Sequence, residues 1–521
     1  MAKAAGAYDV IVIGAGHNGL TCAAFLAKAG RRVLVVEARP AVGGMAAADE
    51  FHPGYRSVGL HHDTSGVRAD VVKALELERH GLKMRAARPP VLALGDAGET
   101  RGLMLHSDPD SAARAISAHS AHDAGNYAGY RALIDRLALV LGPFLDESPV
   151  DLIEMESAGG WNLLKRALRV RRLGRHDMME LLRLPPMSVA DLLGEWFESD
   201  RLKAALALPA VAGTWMGPRS PTSAANLLLW EAAAGPGVEG GGPALAAALE
   251  KAARAAGAEI RTSVPVERVL SDGTGTPVKG VRLSGGEEIA APIVAASCDP
   301  RQLFLRLVAP GTIPYRLEHN ITSYRMRGTT ARVLLAVKGS VRYTVASDDR
   351  VEFARTGGSL NEIERAFDAV KYRTFSETPI LDISVPTVSS PALAPSGHSV
   401  VSILIHYAPH ELEGGWNDRR RRELGDRVVG LLDKHAPGVA AAVVAGEVHA
   451  PPDLEQRYGV TGGHIHHGEH ALDQLLIRPA PGCTGYSTPI PGLYLCGAGS
   501  HPGGGLTCKP GALAARAILG R

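Results

Sequence analysis

Residues 8–40 read YDVIVIGAGHNGLTCAAFLAKAGRRVLVVEARP. Val10 to Ile13 is an unbroken apolar, largely β-branched run, the signature of a parallel strand buried on both faces. Gly14, Gly16 and Gly19 follow at G-x-G-x-x-G spacing. Gly14 allows the tight turn, Gly16 lets the backbone come close to a pyrophosphate, and Gly19 lets the next helix lie against the strand. The alanine-rich stretch Leu20 to Ala29 predicts that helix, ended by Gly30, and Arg32 to Val36 predicts a second strand. Glu37 closes the strand 18 residues after Gly19. A carboxylate there accepts hydrogen bonds from ribose hydroxyls and repels a 2′-phosphate, which disfavours NADP. Strand, turn, helix, strand and acid in register predict an α/β dinucleotide-binding unit.

Working outward, the whole chain has 521 residues, enough for two or three cores. Lys and Arg number 56 against 54 Asp and Glu, so no excess basic charge is available for phosphate backbones, and nucleic acid is not expected as a partner. The arginine run at 169–175 is mixed with apolar residues and that at 419–422 is flanked by acidic ones, and both read as solvated helix faces. Five cysteines with no CxxC pair predict free thiols in a reducing compartment, hence a cytoplasmic location. The N-terminus runs straight into the first strand without a signal-peptide pattern, and no stretch of about 20 apolar residues predicts a membrane span. Peripheral membrane contact and homo-oligomers stay open.

A second glycine-rich stretch, GLYLCGAGSHPGGGLTCKPGALAA at 492–515, also reads as strand, turn and helix. It is either an independent nucleotide loop or the far wall of the site begun at Gly14. A third G-x-G-x-x-G, at Gly235, Gly237 and Gly240, follows the helical SAANLLLWEAAAG rather than a β-branched run, which argues against a further nucleotide site.

The acid at 37 is followed by EARPAVGGMAAADEFHPGYRSVG, with a glycine pair at 43–44 that an NAD site does not need. This extension resembles that of FAD enzymes of the phytoene desaturase and amine oxidase superfamily. GTWMGPRSPTSAANLLL (213–229) and GGHIHHGEHALDQLLIRPAPGCTGYSTPIPGLYLCGAGSHPGGG (462–505) resemble the branch typified by pyridine nucleotide-disulphide oxidoreductase domain-containing protein 2. The resemblance implies a discontinuous Rossmann-type, glutathione reductase-like FAD-binding domain from 1–75, 230–310 and 480–521. It implies a mixed α+β substrate domain with an antiparallel sheet from 76–229 and 311–479. FAD would then be lined by Gly14, Gly16, Gly19, Glu37, Arg39, Gly43, Gly44, Met45, Gly59, Val266, Gly497, Gly504, Gly505 and Leu506, and 492–515 would be the far wall of the first site. The implied activity is dehydrogenation of a small-molecule substrate by hydride transfer to flavin N5, with oxygen, a quinone or another acceptor taking the electrons. Amine oxidation, polyene isomerisation and a non-catalytic flavin-binding role are the rivals.

Four histidines are candidates for proton transfer: His61 and His62 after Gly59, His466 in GGHIHHGEH, and His501 in the terminal glycine loop. Strand alternation would put His464 and His466 on one face and His467 on the other. Trp215, His464, Tyr486 and Lys509 are candidate pocket residues, with core packing the plainer reading for Trp215. A metal is not expected. In TCKPG, Lys509 either points inward, where it stabilises negative charge on reduced flavin, or is a surface lysine.

Overall fold

The computed structural model describes residues 8–95, 99, 101–149, 168, 170–346 and 350–520. Arg169, part of the first arginine run, lies outside them. The deciding stretch folds as strand Val10–Ile13, helix His17–Lys28 and strand Val33–Val36. A five-stranded sheet forms around it in the order Leu493–Leu495, Ile293–Ala296, Val10–Ile13, Val33–Val36, Glu259–Arg261. All four pairings are parallel. Both strands of the opening stretch are fully buried, which is why they carry no polar alternation.

Helix His17–Lys28 packs against helices Gly241–Ala255 and Lys509–Ile518, so segments far apart in sequence share one core. A side chain at Gly19 would run into the Gly14 carbonyl, so the third glycine is required by helix–strand contact. A small antiparallel meander of Val266–Leu270, Gly280–Leu283 and Glu288–Ala290 sits beside this sheet.

A second sheet has seven strands, in the order Val443–His449, Thr330–Lys338, His398–His406, Ile380–Ser384, Phe353–Arg355, Val91–Ala93, Leu103–Leu105. It is antiparallel except where Phe353–Arg355 runs parallel to Val91–Ala93, so the expected antiparallel sheet is a mixed one. Its two faces have different jobs. Val401, Ile403 and Ile405 pack with Leu424, Val428 and Leu432 of helix Asp418–His435. Leu404 and His406, with Asp382 and Arg355, instead line a cavity. Helices Ala121–Asp146, Asp200–Val211 and Ser223–Ala233 share a third core that includes Trp215 at its margin. Among the described residues no helix is long and apolar enough to cross a membrane.

Candidate active site

The carboxyl ends of the parallel strands open onto a cleft, where an open α/β sheet places its ligands. Gly14, Gly16, Glu37, Arg39, Gly44 and Met45 line one side, and Pro265 and Val266 another. Glu37 is buried and already ordered: one oxygen accepts from the Ala15 amide at 2.7 Å, the other from the Arg39 amide at 2.9 Å. Arg39 donates to the Gly44 carbonyl at 3.1 Å and to Asp49 at 3.0 Å, which fastens the loop after the acid. The Gly43 amide bonds the Ala15 carbonyl at 2.7 Å, so this loop lies directly on the first glycine turn. From the other end of the chain come Ala498 and Gly505. The His17 ring meets the Gly505 carbonyl at 3.1 Å and ties the two walls together.

These residues fit FAD. A methyl group built on Gly16 meets nothing within 4 Å, and the same holds for Gly505. Internal packing therefore does not call for glycine at Gly16; the open space beside it is what a bound pyrophosphate needs. The buried Asn18 Oδ1 and His467 Nδ1, on residues that line the cleft, have no hydrogen-bond partner among the described residues. They are polar groups waiting for a ligand.

His61 lines both this cleft and an inner cavity. Its ring stacks on His466 at 5.9 Å between centroids, and His466 stacks on His470 at 4.5 Å. Three imidazoles thus form a row beside Gly504, whose amide donates to His470 Nε2 at 3.2 Å. Burial pushes the His61 pKa down to about 4 and holds His466 and His470 well below the ordinary histidine range. All three are neutral at pH 7. The row is held by Arg478, 1% exposed, which donates to the carbonyls of His466, Gly468, Glu469 and Ala498. Its fixed charge is a further reason why His464, His466, His467 and His470 stay unprotonated.

Comparison with known proteins places this geometry. Residues 158–516 match the model of the flavin containing amine oxidoreductase family, and residues 12–69 match an NAD(P)-binding Rossmann-like domain. The chain belongs to the flavin containing amine oxidoreductases. It is an FAD-binding oxidoreductase of the amine oxidase and desaturase type. It is 32% identical to pyridine nucleotide-disulfide oxidoreductase domain-containing protein 2 of Rattus norvegicus, over 98% of this chain and 93% of that one. It is 28% identical to a limonene dehydrogenase component of Castellaniella defragrans, over 98% and 94%. Its fold is similar to that of an oxidoreductase from Methanosarcina mazei, with a TM-score of 0.60, 16% identity and coverage of 98% and 100%.

Within this flavoprotein the structure corrects several expectations. Residues 464–470 form turns, not a strand, so alternation does not govern the histidines: His464 and His466 approach to 6.0 Å, while His467 reaches the cofactor cleft. His464 is fully buried, its Nδ1 accepting the His466 amide at 3.3 Å. His501 turns its Nε2 to the Phe144 carbonyl at 2.8 Å, bracing the terminal loop on helix Ala121–Asp146. Tyr486 lies in the apolar core with its hydroxyl on the His501 carbonyl at 3.2 Å. Trp215 sits at the edge of the helical core under the Arg327 guanidinium, 4.5 Å from its ring centre, so its aromatic surface is already used.

Lys509 points inward and lines the inner cavity; it is not a surface lysine. It is fully buried and its Nζ binds Asp70 at 2.6 Å and Asp146 at 3.1 Å. Gly43, Gly59 and Gly497 serve packing: a side chain on them would meet Ala246, Ala46 and Ser297 respectively. Gly504 and Leu506 line the inner cavity, and His62 lines it with Nε2 2.8 Å from Ser402 Oγ. Sequence reasoning missed His17, Cys298 and Tyr458 in the cleft. His17 had one signal, its place as the first residue after the glycine turn. Among the described residues no three His, Cys, Asp or Glu side chains are grouped to hold a metal ion.

Proposed function

We propose that the chain dehydrogenates a small organic substrate at a carbon–carbon bond, in a site formed where the cofactor cleft meets the inner cavity. FAD, when bound, supplies the acceptor for the hydride of this two-electron oxidation. The second hydrogen leaves as a proton, and His61 receives it. Burial keeps the His61 ring neutral, and a neutral imidazole has one ring nitrogen with a free lone pair. Such an imidazole is a proton acceptor at physiological pH. His466 supports the His61 ring by stacking, and Arg478 fixes the loop that carries His466. Leu404, Ile465 and Leu506 give the cavity an apolar wall that excludes water from the reacting carbons.

The observation that carries this reading is the position of His61 in the wall common to cleft and cavity. An amine substrate would favour aromatic walls; of the Phe, Tyr and Trp residues only Trp230 lines the inner cavity among the described residues. The relative named as part of a limonene dehydrogenase agrees with dehydrogenation. The same reading assigns 1–75, 230–310 and 480–521 to FAD and 76–229 and 311–479 to the substrate, with oxygen, a quinone or another acceptor restoring the cofactor. The test is anaerobic mixing of the holoenzyme with nitrogen-free compounds and with amines. Bleaching of the flavin band by a nitrogen-free compound, with a product two hydrogens lighter on an intact carbon skeleton, supports the proposal. Bleaching by amines alone, with ammonia released on hydrolysis, overturns it.

A further inference from the structure

Beyond His62 an outer chamber lies beside the inner cavity. The two share His62, Asp63, Trp230, Arg355 and Asp382, so they adjoin across these side chains. The outer wall combines apolar residues such as Val91, Leu105 and Phe353 with four arginines and four carboxylates. Three of the carboxylates are committed. Glu352 takes Arg85 through two hydrogen bonds of 3.0 and 2.7 Å. Glu231 takes Arg131 at 2.6 and 3.4 Å. Asp63 accepts from the Ser65 amide at 2.7 Å and from Trp230 Nε1 at 2.8 Å.

Arg88 and Arg355 have only long ion pairs, Arg355 with the fourth carboxylate, Asp382. Arg88 lies over the Trp230 ring at 4.6 Å, and its nearest carboxylate, Glu231, is 3.8 Å away and already held by Arg131. Arg355 stands 3.6 Å from Asp382, beyond hydrogen-bond reach. Arg88 Nη1 and Arg355 Nε are buried and have no hydrogen-bond partner among the described residues. A buried donor without an acceptor is costly, and a guanidinium fork matches the two oxygens of a carboxylate.

We propose that the outer chamber is a subsite for a carboxylate at the far end of the substrate, held by Arg88 and Arg355. The apolar body of the molecule then passes Trp230 and His62 to reach the inner cavity beside His61. The substrate class is an amphipathic carboxylic acid. This rests on the inner cavity being the reaction site proposed above, but its test reads binding and not turnover.

The holoenzyme is titrated calorimetrically with decanoate and with 1-decanol. Decanoate is expected to bind at least tenfold more tightly than the alcohol, and less tightly as salt rises. Arg88→Met and Arg355→Met are each expected to lose at least tenfold in decanoate affinity and to keep their affinity for 1-decanol. Equal binding of acid and alcohol by the unmodified protein overturns the proposal even if a variant does not fold. So do undetectable decanoate binding and folded variants with unchanged affinity for it. Because heat is measured without turnover, a failure here leaves the dehydrogenase reading standing. Decanoate that binds as expected but is not oxidised leaves the subsite standing.

Discussion

In the proposed dehydrogenation, His61 is the residue on which the chemistry turns. Replacing it with Asn keeps the size and polarity of the ring position and removes the basic nitrogen. His61→Asn is expected to slow anaerobic flavin bleaching by roughly 10²–10⁴-fold, the usual worth of a positioned general base. Flavin content should match the unmodified protein, read from the visible spectrum. The buried histidines also set an acid limit. Burial lowers the pKa of His17, His62 and His467 to about 3 and that of His61 and His406 to about 4. Between these values and the ordinary value of about 6.5, the unfolded chain binds protons that the folded chain refuses, so stability falls as pH falls. A drop of the unfolding temperature from pH 6.5 to pH 4.5 is therefore expected by calorimetry, with little change from pH 7 to 8. A flat profile through the acid range would show that these rings can be protonated in place.

At the scale of elements, the terminal segment shows what can be read from sequence and what cannot. The strand Leu493–Leu495 and the glycine turn after it were legible because buried parallel strands and phosphate-binding turns impose local residue types. The direction of Lys509 was not, because its partners Asp70 and Asp146 sit more than 360 residues away on other elements. Lys509→Met is expected to cost roughly 1–3 kcal/mol in denaturant unfolding, since Asp70 and Asp146 lose a buried partner, and to leave the flavin potential unchanged. A changed potential with unchanged stability would return Lys509 to the flavin. Likewise the histidines of 464–470 were visible as a cluster, but their stacking depends on Arg478 gathering four carbonyls, which no local pattern announces. Gly19→Ala presses a methyl into the Gly14 carbonyl and is expected to yield mostly unfolded protein, checked by solubility and circular dichroism.

Across the whole molecule, one cofactor cleft draws on residues from Gly14 to Gly505, so ligand binding and folding are linked over nearly the full chain. Saturating FAD at about 1000 times its Kd should stabilise the folded state by about 4 kcal/mol. The parallel sheet and the shared site were foreseeable, since each contributing segment carries its own glycine or β-branched signature. The parallel pair inside the second sheet was not, because short strands such as Val91–Ala93 take their partners from distant chain. The central claim is that a single FAD lies against both ends of the chain. It is tested most directly by titrating apoprotein with FAD in the unmodified form and in Gly16→Ala and Gly505→Ala. Each added methyl enters space that the protein itself leaves open; at Gly505, whose φ is +89°, it also strains the backbone, so that variant is read only if its apoprotein stays folded. One FAD per chain, with affinity at least tenfold weaker in both variants and unfolding temperatures of the apoproteins within a few degrees, is the predicted result. Unchanged FAD affinity in either variant would contradict it.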